Sequence, residues 1–148
     1  MNIKKLSLIL FLSIFSLTLA GDIEDVLKTY EAMDKAFVDE KPKELFKNIH
    51  NDNTVFWGDK GWLGNYGTVK GWTEGYLKND YTWTVRDREV KVYGNTAVVA
   101  TIATQTTTSD KSKTKIYQVR ETAVLSKIKN KWTLVHMHLS EFEPKNDD

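Results

Sequence analysis

A chain of 148 residues with 21 basic and 20 acidic side chains carries a net charge of only +1, which leaves no electrostatic footprint for nucleic acid. It has no cysteine, so no disulfide can brace it; five tryptophans, six tyrosines and six phenylalanines supply the apolar area instead. The length suits one domain with one core.

Lys4 and Lys5 precede the uncharged run LSLILFLSIFSLTLA, Leu6 to Ala20, which closes on Thr18-x-Ala20. A basic start, a short apolar segment and a small-residue ending predict a cleaved secretory signal over residues 1–20, cut after Ala20. The run is shorter than the roughly 20 apolar residues that cross a bilayer, so a permanent anchor is the weaker reading. The expectation is an exported protein, periplasmic or secreted, with a single domain over residues 21–148 and no membrane anchor after cleavage. Losing Lys4 and Lys5 takes the net charge from +1 to −1. Between Gly21 and Asp59, five Lys stand against ten Asp and Glu, a solvated acidic helical face.

Asp22 suits a helix N-cap, and Ile23, Val26, Leu27, Tyr30, Met33, Ala36 and Phe37 keep the three-four spacing of an amphipathic helix. Pro42 suits the first turn of a second, short helix with Leu45, Phe46 and Ile49 inward. NDNTVFWGD reads as a turn and a short strand, and GDKGWLGNYGTVKGW as a winding glycine loop. A third helix is expected over residues 68–79, weakened by Gly71 and Gly75.

From Tyr81 the pattern changes to long β-branched runs separated by Gly94-Asn95, the polar turn SDKSK and Lys129-Asn130, which predicts an antiparallel meander. Helices first and a curled sheet afterwards make an α+β domain in which the sheet wraps the helices. In the last strand, alternation puts Trp132, Leu134, His136, His138 and Ser140 on one face, and Thr133, Val135, Met137 and Leu139 on the other.

The order of elements, VYGNTAVVA and then RETAVLSKIKNKWTLVHMHLS, resembles the nuclear transport factor 2-like superfamily. The likeness is to its SnoaL-like branch and to the association domain of calcium/calmodulin-dependent protein kinase II. It rests on Gly94 and Ala97 at a hairpin, Glu121-Thr122 on the next strand, Lys131-Trp132 after a turn, then Val135-His136-x-His138-x-Ser140. The resemblance implies a cystatin-like cone whose helices and curved antiparallel sheet enclose a pocket, in a family that pairs through its sheets. A homo-oligomer, a dimer or a larger ring, is therefore expected.

Such a scaffold hosts many functions, so site residues must be carried over singly. Ketosteroid isomerases place a Tyr hydroxyl in the first helix, and Tyr30 stands at the matching position. Their Asp base lies on the first strand, where this chain has Trp57; Asp59 is two residues on and out of register. Kinase association domains carry pocket arginines at positions held here by Thr104, Ala123 and Leu139, so that anion-binding set is lost. If the Ala123 and Leu139 face lines the cavity, Glu121 shares it by alternation, and a carboxylate in an apolar pocket would titrate high enough to act as acid or base.

The expected ligand pocket is thus Tyr30, Trp57, Trp62, Tyr66, Thr104, Glu121 and Met137, with Tyr30, Asp59 and Glu121 as the acid–base candidates. Arg120, Thr122, Trp132, His136, His138 and Ser140 are read as a structural motif. Zinc at His136 and His138 would need a third ligand from His50, Asp59 or Glu121, so no metal and no cofactor is assigned. The reading favours a non-catalytic domain holding a small apolar ligand. The alternatives are a small acid–base enzyme of isomerase, dehydratase or cyclase type, and a protein-interaction module. Convergent carboxylate, Tyr or His groups around an open cavity would favour the enzyme; a pocket plugged by Trp57, Trp62 and Met137 would favour the interaction role.

Overall fold

The computed structural model describes residues 3–57, 62–76, 80–108 and 113–142. The elements run α1 (Ile3–Val38), α2 (Pro42–Phe46), β1 (Ile49–Trp57), β2 (Trp62–Asn65), α3 (Tyr66–Tyr76), β3 (Asp80–Tyr93), β4 (Thr96–Thr108), β5 (Thr114–Ile128) and β6 (Lys131–Phe142). One curved six-stranded sheet has the order β2-β1-β6-β5-β4-β3. The meander from β3 to β6 is antiparallel, as its short turns require, and Lys129 and Asn130 both take positive φ, the demand of a type I′ hairpin turn. β1 returns beside β6 in parallel, and β2 pairs with β1 as a short outer strand.

Three details depart from the sequence reading. The α1 backbone is helical through Ala20 and Gly21, so Asp22 is not an N-cap; its carboxylate instead takes the Lys127 ammonium and ties the helix to β5. Residues 62–65 of the glycine-rich segment form β2, and the helix after it begins at Tyr66. The third departure is a bulge at Val135, where Val124 pairs His136 while Leu125 pairs Leu134. The extra residue reverses the alternation. Trp132 and Leu134 are buried under α1, whereas His136, His138 and Ser140 stand on the outer face and Met137 and Leu139 turn inward.

The core lies between α1 and the concave sheet face. Val26, Tyr30, Met33 and Ala36 form one helical stripe that packs on Ala97, Val99, Ala123, Leu125, Trp132 and Leu134, with Leu45, Phe46 and Ile49 closing one side. A smaller cluster, Val55, Val119 and Leu139, continues it under α3 through Val69 and Met137. Among the described residues no helix is long and apolar enough to cross a membrane.

Candidate functional site

The core does not close completely. A cavity of about 90 Å³ remains between α1, α2, α3 and the sheet, lined by Tyr30, Met33, Asp34, Phe37, Leu45, Ile49, Val69, Thr73, Tyr81, Trp83, Glu121, Met137 and Leu139. Its walls follow from periodicity. Tyr30, Met33, Asp34 and Phe37 share one face of α1 at three-four spacing, while Tyr81 and Trp83 share the inward face of β3. Phe37 meets Tyr81 edge-on at a centroid distance of 4.5 Å, which builds an aromatic wall.

Polar groups meet at one end. Tyr30 Oη donates a 2.5 Å hydrogen bond to Glu121 Oε1, and the Thr101 hydroxyl bonds the same carboxyl group. Arg88 Nε donates to Thr101 Oγ1 at 3.1 Å, its Nη2 donates to Asp34 Oδ2 at 2.8 Å, and its guanidinium lies 4.4 Å from the Tyr30 ring centre. Arg88 reaches this interior because β3 carries a bulge at Arg86: Val85 pairs Ala103 but Asp87 pairs Ile102, which puts Arg88 on the same sheet face as Tyr81 and Trp83.

This setting moves three titrations. Burial pushes the Glu121 carboxyl up to about 7; the Tyr30 hydrogen bond pulls down against it, the Asp34 charge adds to the rise, and Arg88 and Thr101 oppose it. Burial also raises Asp34, with Arg88 acting in the opposite sense. Tyr30 is pushed well above the usual phenol range, first by burial and then by the Glu121 charge. Tyr30 is therefore a hydroxyl donor throughout the neutral range, and Glu121 populates both protonation states there.

Of the residues singled out from sequence, Tyr30, Glu121 and Met137 meet at this cavity. Thr104 does not line it. The Thr104 side chain is on the outer sheet face, bonded to Gln118, because inward positions of β4 are Ala97, Val99, Thr101, Ala103 and Gln105. Tyr66 opens α3 and packs edge-on against Phe46 at 5.3 Å, a core contact rather than a cavity wall. Asp59 lies outside the described residues, as do the side chains of Trp57 and Trp62, whose backbones pair with each other.

The histidines face away from the cavity. His136 Nδ1 is 2.8 Å from Thr54 Oγ1 on β1, and His138 pairs Thr122 in register. Arg120 Nε donates to Ser140 Oγ at 3.2 Å, and its guanidinium sits 5.4 Å from the Phe142 ring centre. Trp132 does not share that face, since the bulge at Val135 separates it from the histidines. Among the described residues no group of three or more His, Asp or Glu could hold a metal ion.

Asp34, Thr101, Arg88, Phe37, Tyr81 and Trp83 were not anticipated as site residues. Asp34 had a signal, since it follows Tyr30 by one helical turn. Thr101 had one too, as a polar residue in the inward row of β4. Arg88 had none, because only the bulge brings it inside.

The SnoaL-like domain family matches the chain over residues 26–143. A CaMKII hub from S. rosetta is 24% identical, with 81% of this chain and 96% of that one covered at a TM-score of 0.71. An NTF2-like superfamily protein of Salmonella enterica is 17% identical over 86% of this chain and 96% of that one, TM-score 0.75. A Novosphingobium aromaticivorans protein assigned as a scytalone dehydratase is 13% identical over 86% and 89%, TM-score 0.78. No curated protein matches significantly.

Proposed function

The chain belongs to the SnoaL-like domain family, and from that premise we propose that it is an exported protein whose cavity binds a small, mainly apolar molecule bearing one polar group. The observation that carries this reading is the cavity itself: largely apolar and aromatic walls, with Tyr30 and Glu121 hydrogen-bonded to each other in its lining. Its volume of about 90 Å³ is well below the roughly 300–1,000 Å³ of sites that enclose drug-sized ligands, so the buried part of the ligand is compact. Native mass spectrometry of the protein purified from the cell envelope, with a thermal-shift series of small apolar compounds, tests it. No retained molecule and no shift across the series would overturn binding.

A second reading, proton-transfer catalysis of isomerase or dehydratase type, is favoured by Glu121. A cavity carboxyl that titrates at about 7 beside a Tyr donor can take a proton from a carbon next to a carbonyl, with the Tyr30 hydroxyl turning from Glu121 to donate to that oxygen. The dehydratase assignment belongs to the N. aromaticivorans protein; the chemistry comes here as a proposal. Turnover that survives unchanged in Glu121→Gln would remove this reading and leave binding intact.

Export and self-association complete the proposal. Asp22, two residues after the predicted cut following Ala20, pairs with Lys127, so this tie between α1 and β5 belongs to the mature chain. N-terminal sequencing of the envelope fraction should read Gly21; a mature start at Met1 refutes cleavage. Likeness to a CaMKII hub and an outer sheet face of Thr, Ser, His and Arg support a homo-oligomer, which light scattering after gel filtration would measure.

A further inference from the structure

The polar group on the ligand can be specified further, on the premise that the cavity is the binding site. Asp34 and Glu121 are the only ionisable carboxyl or basic side chains among the described residues that line it; no Lys, Arg or His does. The two carboxyl groups are not equivalent. Asp34 is matched by Arg88 at 2.8 Å. Glu121 is 6% exposed and makes no ion pair among the described residues; its partners, Tyr30 and Thr101, are neutral hydroxyls. The one buried guanidinium nearby is already committed to Asp34, to Thr101 and to the face of the Tyr30 ring.

An anion entering this space would meet carboxylates and no available cation, at a cost that grows as water leaves. A cation would meet the reverse: a buried carboxyl group that makes no ion pair among the described residues, and a wall of Phe37, Tyr81 and Trp83, aromatic residues of the kind that attract positive charge. Met33 and Met137 add polarisable, adaptable surface for a hydrocarbon tail. We propose that the occupant is a small organic cation, an aliphatic amine bound as its ammonium ion, paired with Glu121 and packed against the Phe37, Tyr81 and Trp83 rings.

The proposal predicts linkage to pH. The charged or titratable groups facing Glu121 are Tyr30 and Asp34 from α1 and Arg88 from β3; β4 offers Thr101, and β6 offers the apolar Leu139. Tyr30 stays neutral across the neutral range. Ammonium binding therefore expels the proton from Glu121, and affinity should be about tenfold weaker at pH 6 than at pH 8.

Isoamylamine, isoamyl alcohol and isovalerate share one branched skeleton and differ in charge, so calorimetric titration and thermal shift with the three, at both pH values, separate the possibilities. The expected result is binding by the amine, stronger at the higher pH, weak pH-independent binding by the alcohol and none by isovalerate. Phe37→Leu should weaken the amine about threefold relative to the alcohol, and Glu121→Gln should abolish the amine's advantage. The wild-type pH series carries the test even if Glu121→Gln fails to fold. Alcohol binding without amine preference would overturn the cation assignment and leave the pocket standing. Binding by isovalerate in preference to the amine would also overturn it. Failure of all three would remove both readings.

Discussion

Tyr30 and Glu121 lie 91 residues apart in the chain, yet a 2.5 Å hydrogen bond joins them in the interior. The bond fastens the C-terminal half of α1 to the middle of β5 beside the cavity. It serves structure and site together, since the group that holds the helix on the sheet is also the group a ligand would meet.

Removing the donor separates those roles. In Tyr30→Phe the ring keeps its place in the core while Glu121 loses a hydrogen bond that favours its charged form. Its titration should move further above about 7. Above that range the variant should lose about 1.5–3 kcal/mol of stability, as expected for a hydrogen bond to a charged group, and less in mild acid. Urea unfolding at two pH values checks this; an equal loss at both would mean the bond does not involve the carboxylate.

The sign of the stability–pH relation follows from the same carboxyl. Glu121 titrates at about 7 when folded, above its ordinary 4.5. The folded state thus binds more protons in that window, and stability should fall as pH rises from about 4.5 to 7, then level off. The whole effect is about 3 kcal/mol at ~1.4 kcal/mol per unit. Asp34, also raised, adds in the same direction. Glu121→Gln should flatten most of the slope in urea titrations followed across this range, leaving the smaller Asp34 part; an unchanged slope would place the titration elsewhere.

What could be read from sequence, and what could not, divides along physical lines. The α1 stripe from Val26 to Ala36 and the row of β5 that joins Glu121 to Ala123 were legible because helix and strand have simple periods, although which face of β5 turns inward came only from the family likeness. Glu121 was legible as a carboxylate in that row, and Tyr30 through the family likeness. The bulges at Arg86 and Val135 were not legible: one inserted residue changes the face of everything beyond it, and neither position carries a turn residue to announce it. Hence Arg88 went unnoticed inside, and Trp132 was grouped with histidines that point the other way. The parallel return of β1 beside β6 was equally hidden, since strand order depends on long-range closure rather than on local pattern.

Arg88 and Asp34 form a largely buried pair, with side chains 9% and 25% exposed. Deleting either partner strands the other's charge beside Glu121. Arg88→Met and Asp34→Asn should each cost about 3 kcal/mol, while the double variant should cost less than the two combined. A double-mutant cycle in urea measures the coupling. Strict additivity would mean that the pair contributes only its packing. Arg88→Met should also raise the Glu121 titration, because Arg88 opposes that rise.

Asn53 presents the opposite case, a polar group that the interior does not satisfy. It is 2% exposed on β1, and neither amide atom has a hydrogen-bond partner among the described residues. Burying an amide without partners costs about 1–3 kcal/mol. Its neighbour two residues on, Val55, belongs to the apolar cluster with Val119 and Leu139, so the surroundings suit a hydrocarbon side chain. Asn53→Leu, similar in shape, should therefore raise the urea midpoint by an amount equivalent to about 1–2 kcal/mol. Asn53→Asp, which puts an uncompensated charge in the same place, should lower it by more. Equilibrium unfolding of the two variants beside the parent decides the matter. A leucine variant less stable than the parent would mean that the amide is held by a partner, such as an internal water, whose loss outweighs the gain.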